Sequence, residues 1–392
     1  MTTRKKLPKG WRQGELRKYV QVRSGTVNPM RFPDEVFELH SIPAFDNDKQ
    51  PEFLLGRNIR SSKVMIQPGD CLFSKLNPRI CRVWLVRDRD GKRQVATTEF
   101  WPLYSRTDKD DEPYILGEFL EFYLAWPKFR ETFTGQVEAS TKSRQRLKPD
   151  QLLEQQILLP PLAEQERIVE VLRQADAIRR KRAEARRLAD QILPALFLDM
   201  FGDPITNPKN WPVTPFEQVL KDQTRKAGKL PIAEYQAQGE YPIIDQGEKF
   251  ISGYTNRADC VFNGTLPVVL FGDHTRRLKY VDFPFVLGAD GVKILRPIKG
   301  VPAFIYQQLR AAPIPSRGYE RHFKYLKELS FVLPPKHLQE WLAGCFTQYY
   351  ESEKHTTEAL LDAERLFSVL LSRAFTGELT AQGMDAIRGS VD

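Results

Sequence analysis

Several short stretches of this chain group side chains that can hold a polyanion and read its bases. "VMIQPGDCLFSKLNPR" (Val64 to Arg79) places Lys75, Asn77 and Arg79 at every second position beyond a predicted turn. In the second half of the chain Gln246, Lys249, Tyr254, His274, Arg276 and Arg277 cluster on predicted turns. Lys and Arg neutralise phosphates, and Arg, Lys, Asn and Gln carry donor and acceptor pairs that match base edges. Two basic segments add to these. "STKSRQRLK" (Ser140 to Lys148) supplies Lys142, Arg144 and Arg146, and "SRGYERHFKYLK" (Ser316 to Lys327) supplies Arg317, Tyr319, Arg321 and Lys324. Cations with Ser and Tyr beside them suit phosphate contacts. Either segment alone also fits a solvated loop; their recurrence at equivalent places favours nucleic acid. Which side chains touch bases and which touch phosphates stays open.

Catalytic patterns are missing. The double prolines read LPPL and LPPK, with no acid or amide before them and no aromatic residue after them, unlike the [DNS]-P-P-[YFW] motif of amino-methyltransferases. No glycine-rich cofactor turn or phosphate-cradling loop with its lysine is evident. Asp70 and Asp273 each end a strand-like run, but adjacent glycines make them read as turn residues. The four cysteines form no CxxC pair and the histidines sit at no ligand spacing, so thiols in a reducing cytosol are expected, with no metal site. The net charge of +9 favours a polyanionic partner but excludes little by itself. The start, "MTTRKKLPKGW", has no apolar segment behind its basic residues, and no run is long and apolar enough to span a bilayer. A cytoplasmic chain with no membrane role is expected.

The elements that position these residues occur twice. A shift of 174 positions places Pro160 on Pro334 and carries, without a gap, Leu152 onto Leu326, Gln165 onto Gln339, Ala189 onto Ala363 and Phe201 onto Phe375. "LPKGW" (Leu7 to Trp11) has a second echo in "NPKNW" (Asn207 to Trp211). The repeated unit is therefore PKxW, a globular part of variable length, a strand ending in LPP, and a long helix. The first helix shows Ile168, Val171, Ala175, Ile178, Ala185, Ala189, Ile192 and Leu196 at alternating spacings of three and four, with Arg182 interrupting; the second shows Leu338, Leu342, Cys345, Tyr349, Ala359, Ala363, Leu366 and Leu370, with Ser352 and Thr356 in the middle. Such a seam, on helices of about 40 residues and roughly 60 Å, needs a partner. The nearest partner is the other copy, reached antiparallel across the second globular part; separate packing of each helix on its own domain is the alternative. Pro194 should kink or end the first helix early, and Ser368 takes its place in the second.

The globular parts read as variants of one mixed fold. "CRVWLVRDRDGKRQVATTEFWPLY" (Cys81 to Tyr104) carries Asp90-Gly91, a hairpin signal, and "YILGEFLEFYLAWPKF" (Tyr114 to Phe129) is apolar on a helical period. "LPVVLFGDHT" (Leu266 to Thr275) reads as strand, and "VPAFIYQQLRAA" (Val301 to Ala312) offers a helix where the first part has its own.

"LPPLAEQERIVEVL", "VLPPKHLQ", "LFSVLLSRAFTGEL", "LPKGW" and "GDHTRRLKYVDFPF" together resemble the specificity subunits of type I restriction–modification systems over nearly the whole chain. KHLQ in the second copy departs from LAEQ in the first. The resemblance implies an α+β fold: two mixed target recognition domains separated by two long helices that pair as an intramolecular antiparallel coiled coil, a pseudo-twofold repeat. The domains would be residues 1–157 and 204–332, the spacer segments 158–203 and 333–379, and the tail 380–392. It also implies a non-catalytic, double-stranded-DNA-binding chain, each recognition domain reading half of a split site. Two modification (methyltransferase) subunits would dock on it and restriction (motor and nuclease) subunits would join. The chain itself would bind no cofactor; S-adenosylmethionine and ATP with Mg would belong to those partners. Two other readings remain open: a stand-alone DNA-binding or coiled-coil scaffold, and a cryptic nuclease.

Overall fold

The computed structural model describes residues 7–89, 91–134, 146–288, 291–312, 314 and 320–379. The chain divides into two compact units, residues 1–181 with 361–392, and residues 182–360. Each contains a four-stranded sheet with a covering helix; a further sheet has five strands in the first unit and three in the second.

In the first unit, an antiparallel sheet is built from β1 (Val20–Val22), β2 (Cys71–Ser74), β3 (Val83–Leu85) and β4 (Phe100–Ser105), in the order β1-β4-β2-β3. Its apolar face is covered by α1 (Gly117–Ala125), whose Phe119, Leu120, Tyr123 and Leu124 are buried. A five-stranded mixed sheet, including Val36–His40 and Arg93–Ala96, flanks it. Val83–Leu85 and Arg93–Ala96 lie in different sheets, so the hairpin suggested by Asp90-Gly91 does not form between them; Asp90 itself lies outside the described residues. Each strand finds longer-range partners, β3 pairing with β2 and Arg93–Ala96 running parallel to Val36–His40.

The chain then enters α2 (Leu162–Phe201). This helix continues through Pro194, so of the two expectations, a kink or an early end, the early end does not occur. Proline cannot donate to the carbonyl four residues before it. That carbonyl, Asp190 O, instead accepts from Arg310 Nη2 at 3.1 Å, and the Asp190 carboxylate accepts from the Tyr349 hydroxyl at 2.8 Å.

The second unit repeats the plan with β5 (Leu220–Asp222), β6 (Val268–Gly272), β7 (Leu278–Val281) and β8 (Val292–Pro297), in the order β5-β8-β6-β7. The helix α3 (Pro302–Ala311) covers it, and α4 (Lys336–Phe375) follows. The sheet orders match term for term.

The LPP joints are built alike. Gln165, fully buried, donates from Nε2 to Pro160 O at 3.0 Å and accepts on Oε1 from Leu116 N, the residue that opens α1, at 2.9 Å. Gln339 donates to Pro334 O at 2.7 Å and accepts from Val301 N, the residue that opens α3, at 2.9 Å. Each glutamine thus ties the proline joint to the start of the covering helix and satisfies groups that would otherwise be buried unpaired. A further bond recurs: Tyr123 Oη accepts from Leu158 N in the first unit, and the Gln308 carboxamide pairs with Val332 in the second.

In the first unit Ile168, Val169 and Leu172 of α2 share one core with Leu371, Ala374 and Phe375 of α4. In the second, Leu193 of α2 packs with Phe346 of α4, and Phe197 and Phe201 share a core with Leu342. Of the seam residues, Ile168, Ala175, Leu342 and Ala363 are buried; Val171, Ala189, Leu196, Leu338, Cys345, Tyr349, Ala359 and Leu370 are half-buried. Ile178, Ala185, Ile192 and Leu366 are exposed. Buried positions such as Leu193 and Phe197 fall one residue after Ile192 and Leu196. No helix among the described residues is long and apolar enough to cross a membrane.

Candidate nucleic-acid interface

The first unit carries its candidate cations on the turn between β2 and β3. Lys75 donates from its backbone N–H to Glu99 O at 3.0 Å, and its carbonyl accepts from Leu147 N at 2.9 Å. This brings the segment before the LPP joint alongside the turn. Leu76 and Arg146 form an isolated bridge, and Arg146 lies 3.1 Å from the Glu99 carboxylate. Asn77 sits in the left-handed region with φ 46°, a conformation Asn tolerates, and Ile80 N donates back to Asn77 O at 2.8 Å. Arg79 is exposed at the tip. Arg130, which the sequence reading passed over, donates to the Pro78 and Arg79 carbonyls and braces the turn from a neighbouring helix. Lys75, Asn77, Arg79 and Arg146 are thus one neighbourhood. Lys142 and Arg144 lie outside the described residues.

The second unit uses the equivalent turn, between β6 and β7. Arg276 adopts φ 60°, donates from its N–H to Gly272 O at 2.7 Å, and reaches Ile314 O with Nη1 at 2.9 Å. His274 N donates to Gln246 Oε1 at 3.2 Å, and Thr275 Oγ1 donates to Gln246 O at 2.9 Å. Arg277 is exposed, 4.0 Å from the Glu248 carboxylate. The 245–250 loop is held from beneath by Lys279, only 6% exposed, whose ammonium donates to Asp245 O at 2.7 Å and Lys249 O at 2.6 Å. Burial lowers the pKa of that ammonium. The strand pattern "LKYV" only sets Lys279 on the face opposite Leu278 and Tyr280; the carbonyls of a segment about 30 residues earlier are what bury it.

Gln246, Lys249, His274, Arg276 and Arg277 therefore converge. Arg321 and Lys324 are exposed on the segment beside the turn, Lys324 lying 3.3 Å from Glu320. Tyr254 is placed differently, on the strand Gly253–Thr255, where its backbone pairs with Gln236. Arg317 and Tyr319 lie outside the described residues. Among the described residues no three His, Cys, Asp or Glu side chains are grouped to hold a metal ion.

Two equivalent turns, each with an exposed arginine and polar side chains and each beside a segment that carries a further exposed arginine, Arg146 or Arg321, can neutralise phosphates and offer donor–acceptor pairs to base edges.

No family model and no curated protein matches the chain. Solved structures do. A chain from a structure on the complex assembly and conformational transition of the type I R-M system is 20% identical, with a TM-score of 0.53, covering 96% of this chain and 100% of that one. The type I restriction–modification system S subunit from M. genitalium is 13% identical, with a TM-score of 0.57, covering 96% of this chain and 98% of that one. In fold, therefore, this chain is similar along nearly all its length to the S subunit of a type I restriction–modification system.

Proposed function

We propose that this chain is the sequence-specific, non-catalytic DNA-binding subunit of a type I restriction–modification complex in the cytoplasm. The observation that carries the reading is the recurrence of one cationic turn on one sheet order in both units. Two equivalent reading heads on one chain suit a bipartite site. Residues 1–157 and 204–332 are then the target recognition domains, 158–203 and 333–379 the spacers, and 380–392 a tail. The cores in which the start of α2 meets the end of α4, and the end of α2 the start of α4, support antiparallel pairing of the spacers. The exposed apolar side chains Ile178, Leu188, Ile192, Leu361, Leu366 and Val369 suit docking of two modification subunits, which restriction subunits join. S-adenosylmethionine, ATP and Mg belong to those partners.

Co-expression with modification subunits and mapping of methylated adenines tests this reading. One bipartite sequence is expected. DNA binding without any methylation would favour the stand-alone scaffold, and metal-dependent cutting by the purified chain would favour a nuclease.

If the helices set the distance between half-sites, deleting one heptad from both should shorten the unspecified gap. Seven residues span about 10 Å, or roughly three base pairs. An unchanged gap in the methylation map would refute the spacer role.

Replacing Arg276 and Arg277 with alanine should weaken binding and reduce the slope of log K against log salt by up to about 2. A titration from low to moderate salt measures it, and an unaltered slope would remove both residues from the interface.

A further inference from the structure

Asp273 follows a glycine at the end of a strand, as a turn residue does, and has more partners than a turn requires. It is 5% exposed. Its N–H donates to Gly291 O at 2.6 Å, and its carbonyl accepts from His322 N at 2.8 Å, with His322 Nδ1 3.0 Å away. Its carboxylate Oδ1 accepts from Phe323 N at 2.8 Å. One residue thus ties the 273–277 turn to two segments distant in sequence.

Gln246 and His274 rest on that junction. Gly291 has φ +95°, and a Cβ there would lie 2.5 Å from Gln246 Nε2 and 3.1 Å from His274 Cδ2. Only a glycine in that conformation lets the carboxamide and the imidazole approach so closely. The position of Gly291 is in turn held by the Asp273 N–H.

The first unit isolates what the carboxylate adds. Lys75 makes the same two backbone bonds, to Glu99 O and from Leu147 N, but its side chain has no acceptor. The backbone junction is common to both heads; the carboxylate bond to Phe323 N is particular to the second. A side-chain oxygen that accepts from a backbone N–H at 2.8 Å fixes a loop by the reach and direction of that bond. Side chains that recognise a ligand by hydrogen bonds must be held within about 0.5 Å.

We propose that Asp273 is the positioning residue for base readout by the second unit, its carboxylate holding the 322–323 segment and the turn so that Gln246 and His274 meet base edges in one geometry. This rests on the reading of the two units as half-site readers. The role is distinct from catalysis: Asp273 touches no base and moves no proton.

The test is selection of bound sequences from a randomised duplex library by the full chain. Wild type should select two half-sites. Asp273→Ala should keep one half-site unchanged and lose about tenfold in preference at one or more positions of the other. Asp273→Asn, which keeps an acceptor at the same reach, should select as wild type does. An alanine variant that selects both half-sites with wild-type preference would overturn the proposal. A wild type that selects no sequence would overturn the half-site reading and this proposal together. If the alanine variant does not fold, Asp273→Asn is compared with Asp273→Glu, which keeps the charge but moves it one methylene outward. Asn should retain the half-site and Glu should blur it; identical half-sites from both would refute the positioning role.

Discussion

Phe375→Ala is expected to destabilise the first unit by about 3–5 kcal/mol. Phe375 is the last residue of α4 and is 1% exposed. Its ring centroid lies 4.7 Å from that of Tyr123, 5.4 Å from Phe119 and 5.4 Å from Trp126. The first unit is discontinuous in sequence, its beginning and end meeting in one core that holds residues from both ends of the chain. Removing the ring leaves a cavity lined by side chains fixed to α1 and the sheet, which can collapse only in part. In thermal unfolding, a loss of this size should lower the midpoint of the first unit by roughly 10 °C. The second unit has its own aromatic group of Phe197, Phe201 and Phe304, and its transition should stay in place. A shift of only a degree or two, or equal shifts in both transitions, would contradict this account.

Acid should weaken the first unit through His40. This side chain is 2% exposed on Val36–His40, 4.4 Å from the Trp84 ring and 3.7 Å from the Glu38 carboxylate. Burial dominates and lowers its pKa from 6.5 to about 4, with Arg89 adding repulsion and backbone bonds opposing. Folded His40 is therefore neutral where the unfolded side chain takes up a proton. Stability is fully present above about pH 6.5 and is lost as pH falls from there to about 4. The loss from this group approaches about 3 kcal/mol by pH 4. Because carboxylates also contribute below pH 5, the measurement is a difference: denaturant unfolding of wild type and of His40→Leu between pH 4 and 7.5. The variant should show the shallower decline, and parallel curves would dismiss His40 as the cause.

The repeat was legible in the one-dimensional pattern because its parts depend on near neighbours. The prolines that end each strand, the glutamine five residues after the first of them and the period of the helices all act over a few residues. The helices α1 and α3 were visible for the same reason, and so was the turn carrying His274, Arg276 and Arg277.

Other features were decided by groups remote in the chain. Asp90-Gly91 signalled a hairpin, yet the flanking strands belong to separate sheets because each finds a better partner elsewhere. Pro194 signalled a kink or an early end; the helix runs on, and Arg310 occupies the carbonyl that the proline leaves unpaired. The seam read on a strict heptad drifts, because an α-helix turns by about 20° per heptad against that repeat. Each helix also faces its own sheet and covering helix, so Leu193 and Phe197 are buried while Ile192 is exposed. Asp273 looked like any acid beside a glycine until folding brought Gly291, His322 and Phe323 to it. Composition and spacing determined which side chains could hold a polyanion and how often the unit recurs. Only tertiary structure decided which of them share a site, since hydrogen-bond partners far apart in sequence leave no local period to read.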